Sequence, residues 1–127
     1  MKIHDFPDLY SASKGANDAE INELGSKLGV AIPAVYSDLL KESNGFSLNE
    51  GLLVYSTEEV PERNETLEVQ EYAPGYLAVG DDSGGRSVML SLVRGELFLV
   101  DQGSMDPDDM IKLADSISGW VSTGCKV

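Results

Sequence analysis

The sequence predicts an α+β fold in which helices and strands occupy separate parts of the chain. Two helix-like segments come first, three strand-like runs follow between residues 76 and 101, and a further helix-like segment comes last. Helices and strands that do not alternate regularly favour a mainly antiparallel sheet with helices packed on it. The 127 residues fit a single domain, 1–127, which is long enough to bury roughly two thirds of its unfolded surface.

The first helix is predicted within ANDAEINELGSKLG. Asn17 is a favourable N-cap, and Glu20 three residues later completes a capping box. Gly29 supplies a typical helix stop. The apolar residues at helical spacing are Ile21, Leu24 and Leu28.

The second helix is predicted within IPAVYSDLLKESNG, close behind the first. Pro33 suits the first helical position, and Asn44-Gly45 marks the end. The residues expected on its apolar side are Val35, Tyr36, Leu39 and Leu40.

A short apolar run, GLLVY at 51–55, predicts a buried strand. The next segment, residues 56–74, fits either an extended segment or a short helix, because Leu67 and Val69 can pack in both and prolines interrupt it. Residues 1–16 predict no definite element. The sequence leaves both segments open.

Three strand-like runs then follow one another as YLAVG, RSVMLSL and ELFLVD. The links between them, DDSGG and VRG, have the length and composition of turns that join antiparallel neighbours. These runs predict the centre of the sheet.

The last element is predicted as one helix over DPDDMIKLADSISGWV. Asp106 would cap it and Pro107 would occupy its first turn. We expect it to close over the sheet through six residues at helical spacing: Met110, Leu113, Ala114, Ile117, Trp120 and Val121.

The charge balance restricts the possible partners. The chain has 22 acidic and 9 basic residues, a net charge of -13 at pH 7. Nucleic acid and membranes are predicted not to be partners, because binding to phosphates needs clustered Lys and Arg. No apolar run approaches the ~20 residues of a membrane helix, and the N-terminus has no signal-peptide pattern. We therefore expect a cytoplasmic protein.

The link GDDSGG contains Asp-Ser-Gly-Gly, which carries the nucleophilic serine in trypsin-like proteases. Ser83 nevertheless lacks the preceding glycine of an oxyanion hole, since Asp81 stands there, and His4 is the sole candidate for a general base. Asp, Ser and Gly are the residues that a tight strand connection needs. The stretch therefore predicts a turn.

Other chemical sites find little support in the sequence. Cys125 is the single cysteine, so no internal disulfide is possible, and it lies far along the chain from His4. Neither acid-rich run, 81–82 or 101–109, combines alternating carboxylates with the central glycine and the terminal Glu of a calcium loop. We expect no catalytic residue, no metal and no cofactor.

The densest charge feature is an acidic series relieved by a single basic residue, Arg63. It is either a solvated face or a surface that contacts a basic protein partner. As contact residues we predict Glu58, Glu59, Glu62, Glu65, Glu68 and Glu71, with Asp81 and Asp82 as a second choice.

The sequence resembles the SUKH superfamily (Smi/Knr type) from about residue 17 onward. The resemblance rests on two motifs: Leu28-Gly29, Ile32-Pro33, Tyr36, Leu39-Leu40 and Asn44-Gly45, then Tyr76 to Asp82 with Gly84-Gly85. It implies an α+β domain that binds another protein and performs no chemistry.

The resemblance implies more than one function. Bacterial members commonly act as immunity proteins that neutralise a toxin, often a nuclease, which would be basic. The alternative is a regulatory interaction module that binds an endogenous partner protein, as in the fungal cell-wall regulators. A small hydrolase built on Ser83 or on a metal carboxylate site is a third hypothesis.

Overall fold

The computed structural model describes residues 2–127 and is built around one seven-stranded antiparallel sheet. The strands lie in the sheet in chain order: β1 (Leu9–Ala12), β2 (Phe46–Leu48), β3 (Leu53–Val54), β4 (Tyr76–Asp81), β5 (Arg86–Ser91), β6 (Leu97–Asp101) and β7 (Ile111–Ala114). The helices are α1 (Asp18–Leu28), α2 (Ala34–Glu42), α3 (Glu59–Thr66), α4 (Val69–Tyr72) and α5 (Ile117–Ser122). The predicted α+β class with a mainly antiparallel sheet is confirmed.

The first helix forms for the predicted reasons. The backbone N–H of Glu20 donates to Asn17 Oδ1 at 2.8 Å, and the backbone N–H of Asn17 donates to Glu20 Oε1 at 3.0 Å. These bonds satisfy N–H groups that the first helical turn leaves free. Helix α1 ends at Gly29, which adopts the left-handed conformation with φ 69°.

The second helix begins one residue later than predicted, because Pro33 is its N-cap and not its first helical residue. Tyr36, Leu39 and Leu40 are buried as expected. Val35 was assigned to the same apolar side, but its side chain is 38% exposed. It lies one position from Tyr36, and about 100° of helical rotation turns it toward solvent.

The predicted central strands are confirmed as β4, β5 and β6. Successive residues of a strand face opposite sides of the sheet. Residues 77–80 of β4 and 87–91 of β5 are all buried, so both faces of the sheet are covered at its centre. A single hydrophobic core includes these strands and the buried sides of α1, α2 and α5.

The segments left open by the sequence have definite structures. Residues 3–5 form a 3-10 turn, and β1 pairs with β2 at one edge of the sheet. The predicted GLLVY strand is shorter than its apolar run, as β3 covers two of its residues. Within 56–74 the chain forms helices α3 and α4, both in contact with β4.

The prediction of a single C-terminal helix from residue 106 is wrong. Asp106 instead caps a 3-10 turn at Pro107–Asp109, and the next residues form strand β7 against β6. Helix α5 begins only at Ile117, where the Ser116 hydroxyl oxygen accepts from the backbone N–H of Gly119 at 3.0 Å. The helical spacing of the apolar residues was misleading, because pairing with β6 satisfies the backbone of β7 and extends the sheet.

Candidate protein-binding surface

Helices α3 and α4 carry the predicted acidic series on their outer sides. Helix α3 is preceded by a capping pair in which Ser56 N–H donates to Glu59 Oε1 at 2.9 Å. Val60 and Val69 are fully buried and attach the two helices to the core. All six glutamates are exposed: Glu58, Glu59, Glu62, Glu65, Glu68 and Glu71. We call these six residues the acidic helical surface.

Most of the acidic helical surface has no counter-charge. Glu62 pairs with Arg63, with 3.0 Å between Glu62 Oε2 and Arg63 Nε. Within residues 2–127, the other five glutamates make no salt bridge. The surface therefore presents a concentrated negative charge to solvent.

The buried side chain of Asn64 fixes α3 to the sheet. Its Nδ2 donates to the carbonyl oxygens of Val60 at 2.8 Å and Ala78 at 2.9 Å, and its Oδ1 accepts from the N–H of Ala78 at 2.9 Å. Ala78 lies in β4, beyond the end of the short strand β3. The asparagine amide thus takes the place of a missing strand partner and holds the acidic helix rigidly against the sheet.

A second asparagine positions the start of the same helix. The backbone N–H of Thr57 donates to Asn44 Oδ1 at 2.8 Å, and Asn44 Nδ2 donates to the Thr57 hydroxyl at 3.1 Å. Gly45 follows with φ 84°, and a Cβ there would lie 3.0 Å from the nitrogen of Ser56. The Asn44-Gly45 pair therefore ends α2 and fixes the segment that leads into α3.

The acidic helical surface borders an open groove between α1, α3 and α4. Its volume is about 610 Å³, and Leu28 and Pro61 contribute apolar side chains to its lining. Three members of the acidic helical surface, Glu65, Glu68 and Glu71, also line it. We call this feature the α1–α3 groove. Half of the acidic helical surface therefore lines the groove, whereas Glu58, Glu59 and Glu62 lie outside it.

The second-choice residue Asp81 lies at the end of β4 and is bonded within the molecule. The Tyr55 hydroxyl donates to its Oδ2 at 2.7 Å, and the N–H of Ser83 donates to its Oδ1 at 2.8 Å. Burial raises the pKa of Tyr55, and the hydrogen bond to Asp81 raises it further. The positive charge of Arg63 lowers the pKa of Tyr55, and the negative charge of Glu59 raises it.

Asp82, the other second-choice residue, accepts hydrogen bonds from two backbone N–H groups and from a guanidinium group. Its Oδ1 accepts from the backbone N–H groups of Gly84 at 2.7 Å and Arg86 at 3.0 Å, and its Oδ2 accepts from Arg86 Nε at 2.7 Å. The carboxylate side chain is 10% exposed. Burial raises the pKa of Asp82, but these hydrogen bonds outweigh it and leave the pKa below its ordinary value. This carboxylate organises the turn.

Ser83 occupies the connection between β4 and β5, as the turn prediction required. It adopts the left-handed conformation with φ 62°, and its hydroxyl donates to the carbonyl oxygen of Gly51 at 2.5 Å. The imidazole of His4 interacts elsewhere, with 3.1 Å between its Nε2 and the carbonyl oxygen of Glu42. The hydroxyl proton of Ser83 is therefore directed to a backbone carbonyl, and no imidazole activates it.

Cys125 is buried. Burial raises its pKa to about 12, and the charge of Asp8 acts in the same direction. The thiol is therefore protonated at neutral pH and a poor nucleophile.

Among residues 2–127, no cluster of three or more His, Cys, Asp or Glu is arranged to hold a metal ion. Trp120 is buried in the core, as predicted.

Neither the role of Asn64 nor the α1–α3 groove was predicted from the sequence. A signal for Asn64 was present, since Val60, Asn64 and Leu67 have helical spacing and a polar residue in such a stripe indicates a buried hydrogen-bonded group. Because the sequence leaves the secondary structure of residues 56–74 undecided, this spacing could not identify Asn64 as buried. The groove depends on how α1 packs against α3, which no local pattern encodes.

The fold and the surface together define an α+β domain with a candidate protein-binding face. The model of the SMI1 / KNR4 family (SUKH-1) matches residues 15–123, and the chain belongs to this family. Membership supports a protein partner and a general role in protein interaction or immunity. The 3-10 turn at residues 3–5 and strand β1 precede the matched region.

A relative with a similar sequence is the uncharacterized protein YnaB of Bacillus subtilis (strain 168). It is 35% identical to this chain over 74 residues, which cover 58% of this chain and 49% of YnaB. The match thus spans about half the length of that relative.

Within residues 2–127, no helix is both long and apolar enough to cross a membrane.

The motif residues that carried the family resemblance have structural tasks. A Cβ on Gly80 would lie 2.5 Å from the carbonyl oxygen of Leu53, so the close approach of β3 and β4 requires glycine. Tyr36 and Leu40 are fully buried. These residues therefore serve the fold of the domain.

Proposed function

We propose that this chain is an immunity protein that binds a basic toxin domain, such as a nuclease, and performs no chemistry itself. The observation that carries the proposal is the acidic helical surface, in which five of six glutamates lack an ion-pair partner within residues 2–127. Helices anchored to the sheet present these unpaired charges. Such a surface is suited to a partner that supplies the missing cations.

Electrostatics connects this surface to the class of partner. A nuclease binds phosphates through clustered Lys and Arg, so its substrate-binding face is positively charged. The acidic helical surface and the net charge of -13 would steer such a face toward this protein and raise the association rate. An inhibitor bound at that face would also block the substrate.

The internal bonding of the reactive groups supports a binding role without catalysis. The Ser83 hydroxyl donates to a backbone carbonyl, and the Cys125 thiol is buried with a raised pKa. A nucleophile requires an adjacent base or a lowered pKa. Neither residue has the required environment.

The proposal is tested by capture of the partner followed by a toxicity assay. The wild-type protein is used as bait in a lysate of its own source cells, and bound proteins are identified by mass spectrometry. We expect a basic protein whose expression alone kills cells and whose toxicity disappears when this chain is co-expressed. A captured protein that is not toxic would contradict the proposal and indicate the regulatory module instead.

Charge-reversal variants test the assignment of the surface. Glu62→Lys with Glu65→Lys should slow association with the captured toxin and weaken its salt dependence. The matched control, Asp38→Lys with Glu50→Lys, makes the same change in net charge at exposed residues of α2 and of the β2–β3 turn. Equal rates for the two variants would show that net charge matters and that the acidic helical surface does not.

A further inference from the structure

We infer that the α1–α3 groove receives an apolar side chain, such as Trp, from a partner segment in which Lys or Arg flanks that side chain. The inference rests on the proposed function in that the segment would belong to the bound protein. It adds an anchor to what would otherwise be a purely electrostatic contact. Buried aromatic anchors contribute most of the binding energy in many protein interfaces.

The size and lining of the groove favour an apolar occupant. Leu28 at the end of α1 and Pro61 in the first turn of α3 are only partly buried, so apolar surface remains for a partner to cover. A volume of about 610 Å³ falls in the range of clefts that bind small organic ligands, so a bulky side chain fits in the groove. Covering this surface gives a hydrophobic contribution that the exposed glutamates cannot supply.

Internal hydrogen bonds fix the groove on the side of α3, and Gln70 contributes an exposed polar side chain to its lining. Asn64 lines it, but both of its amide hydrogens are used by the carbonyl oxygens of Val60 and Ala78. The bonds between Asn64 and Ala78 hold α3 against β4, so the groove exists before a partner arrives. A preformed groove lowers the ordering cost of binding.

The rim of the groove selects positive charge next to the anchor. Glu65, Glu68 and Glu71 line it and make no salt bridge within residues 2–127. Lys27 is the one basic residue that lines the groove, and its Nζ lies 3.2 Å from Glu23 Oε1. A segment with Lys or Arg beside the anchor would pair with the three glutamates, whereas an acidic segment would be repelled.

The test uses the whole protein, labelled with nitrogen-15, and a short blocked peptide, acetyl-Lys-Arg-Trp-Lys-Arg-amide. Backbone amide shifts are followed as the peptide is added. We expect saturable shifts at residues 27–28 and 64–71. A peptide with Ser in place of Trp and a peptide with Glu in place of the basic residues should each bind at least about tenfold more weakly.

A pair of charge-matched variants completes the test. Glu65→Lys with Glu71→Lys should weaken peptide binding by about tenfold or more, whereas Asp38→Lys with Glu50→Lys should leave it close to wild type. Equal binding of the Trp and Ser peptides, absence of saturable shifts, or shifts centred outside the groove would each overturn the inference. These outcomes do not depend on any toxin, so failure here and failure of the capture experiment can be told apart.

Discussion

Two acid-rich regions of this protein, the β4–β5 turn and the acidic helical surface, use their carboxylates in opposite ways. In the turn, Asp81 and Asp82 each accept hydrogen bonds from within the protein at both oxygens. On the helices, the carboxylates of Glu65, Glu68 and Glu71 accept no hydrogen bond within residues 2–127 and line an open groove. Acidic residues that lie close together in the sequence therefore differ in how much of their bonding capacity remains available to a partner.

The largest expected effect is the loss of stability when the turn carboxylate is removed. Asp82→Ala leaves two backbone N–H groups and the Arg86 guanidinium without their acceptor, and we expect the free energy of unfolding to fall by about 2–3 kcal/mol. Glu65→Ala, on the exposed side of α3, should change it by less than about 0.5 kcal/mol. Urea unfolding measures both, and a similar loss in the two variants would contradict the distinction.

A smaller effect is expected in the pH dependence of stability. The pKa of Asp82 in the folded protein lies below its ordinary value of 3.8, so the ionised carboxylate stabilises the fold above that pH. This contribution is lost as the pH falls through the lower pKa of the folded state. The difference in unfolding free energy between wild type and Asp82→Asn should therefore be constant near neutral pH and narrow below about pH 4.

A difference that stays constant through the acid range would show that Asp82 has an ordinary pKa. Glu71→Gln is the matched control, because this exposed carboxylate makes no hydrogen bond within residues 2–127. At neutral pH its unfolding free energy should stay close to that of wild type, because no hydrogen bond is lost. Urea unfolding at a series of pH values measures both variants.

Much of the fold could be predicted from the sequence, because local signals agreed with the tertiary structure. The Asn17 and Glu20 capping box and the stop at Gly29 define α1. Apolar runs bounded by DDSGG and VRG define β4, β5 and β6. In each case the local preference and the packed environment favour the same conformation.

The errors occurred where long-range pairing opposed the local pattern. Residues 111–114 share helical spacing with the residues after them, yet they form an edge strand because β6 offers backbone partners. Helix α3 is held by Asn64 and by the Asn44 contact to Thr57, which join residues distant in sequence. The acidic residues of the candidate surface could be predicted, but the groove beside them arises only when α1 packs against α3.

The smallest expected effect separates charge from stability within the acidic helical surface. Glu68 joins α3 to α4 in the left-handed conformation with φ 54°, so Glu68→Gly should raise the free energy of unfolding by up to about 1 kcal/mol. Glu65→Gly, within α3, should lower it by about 0.5–1 kcal/mol. Each variant removes one carboxylate from the groove rim, so both should weaken binding of the basic Trp peptide to a similar extent. Urea unfolding and amide-shift titration measure the two properties. If Glu65→Gly instead binds the peptide more weakly than Glu68→Gly, in line with its lower stability, the two carboxylates affect binding through the stability of the fold and not through contact with the peptide.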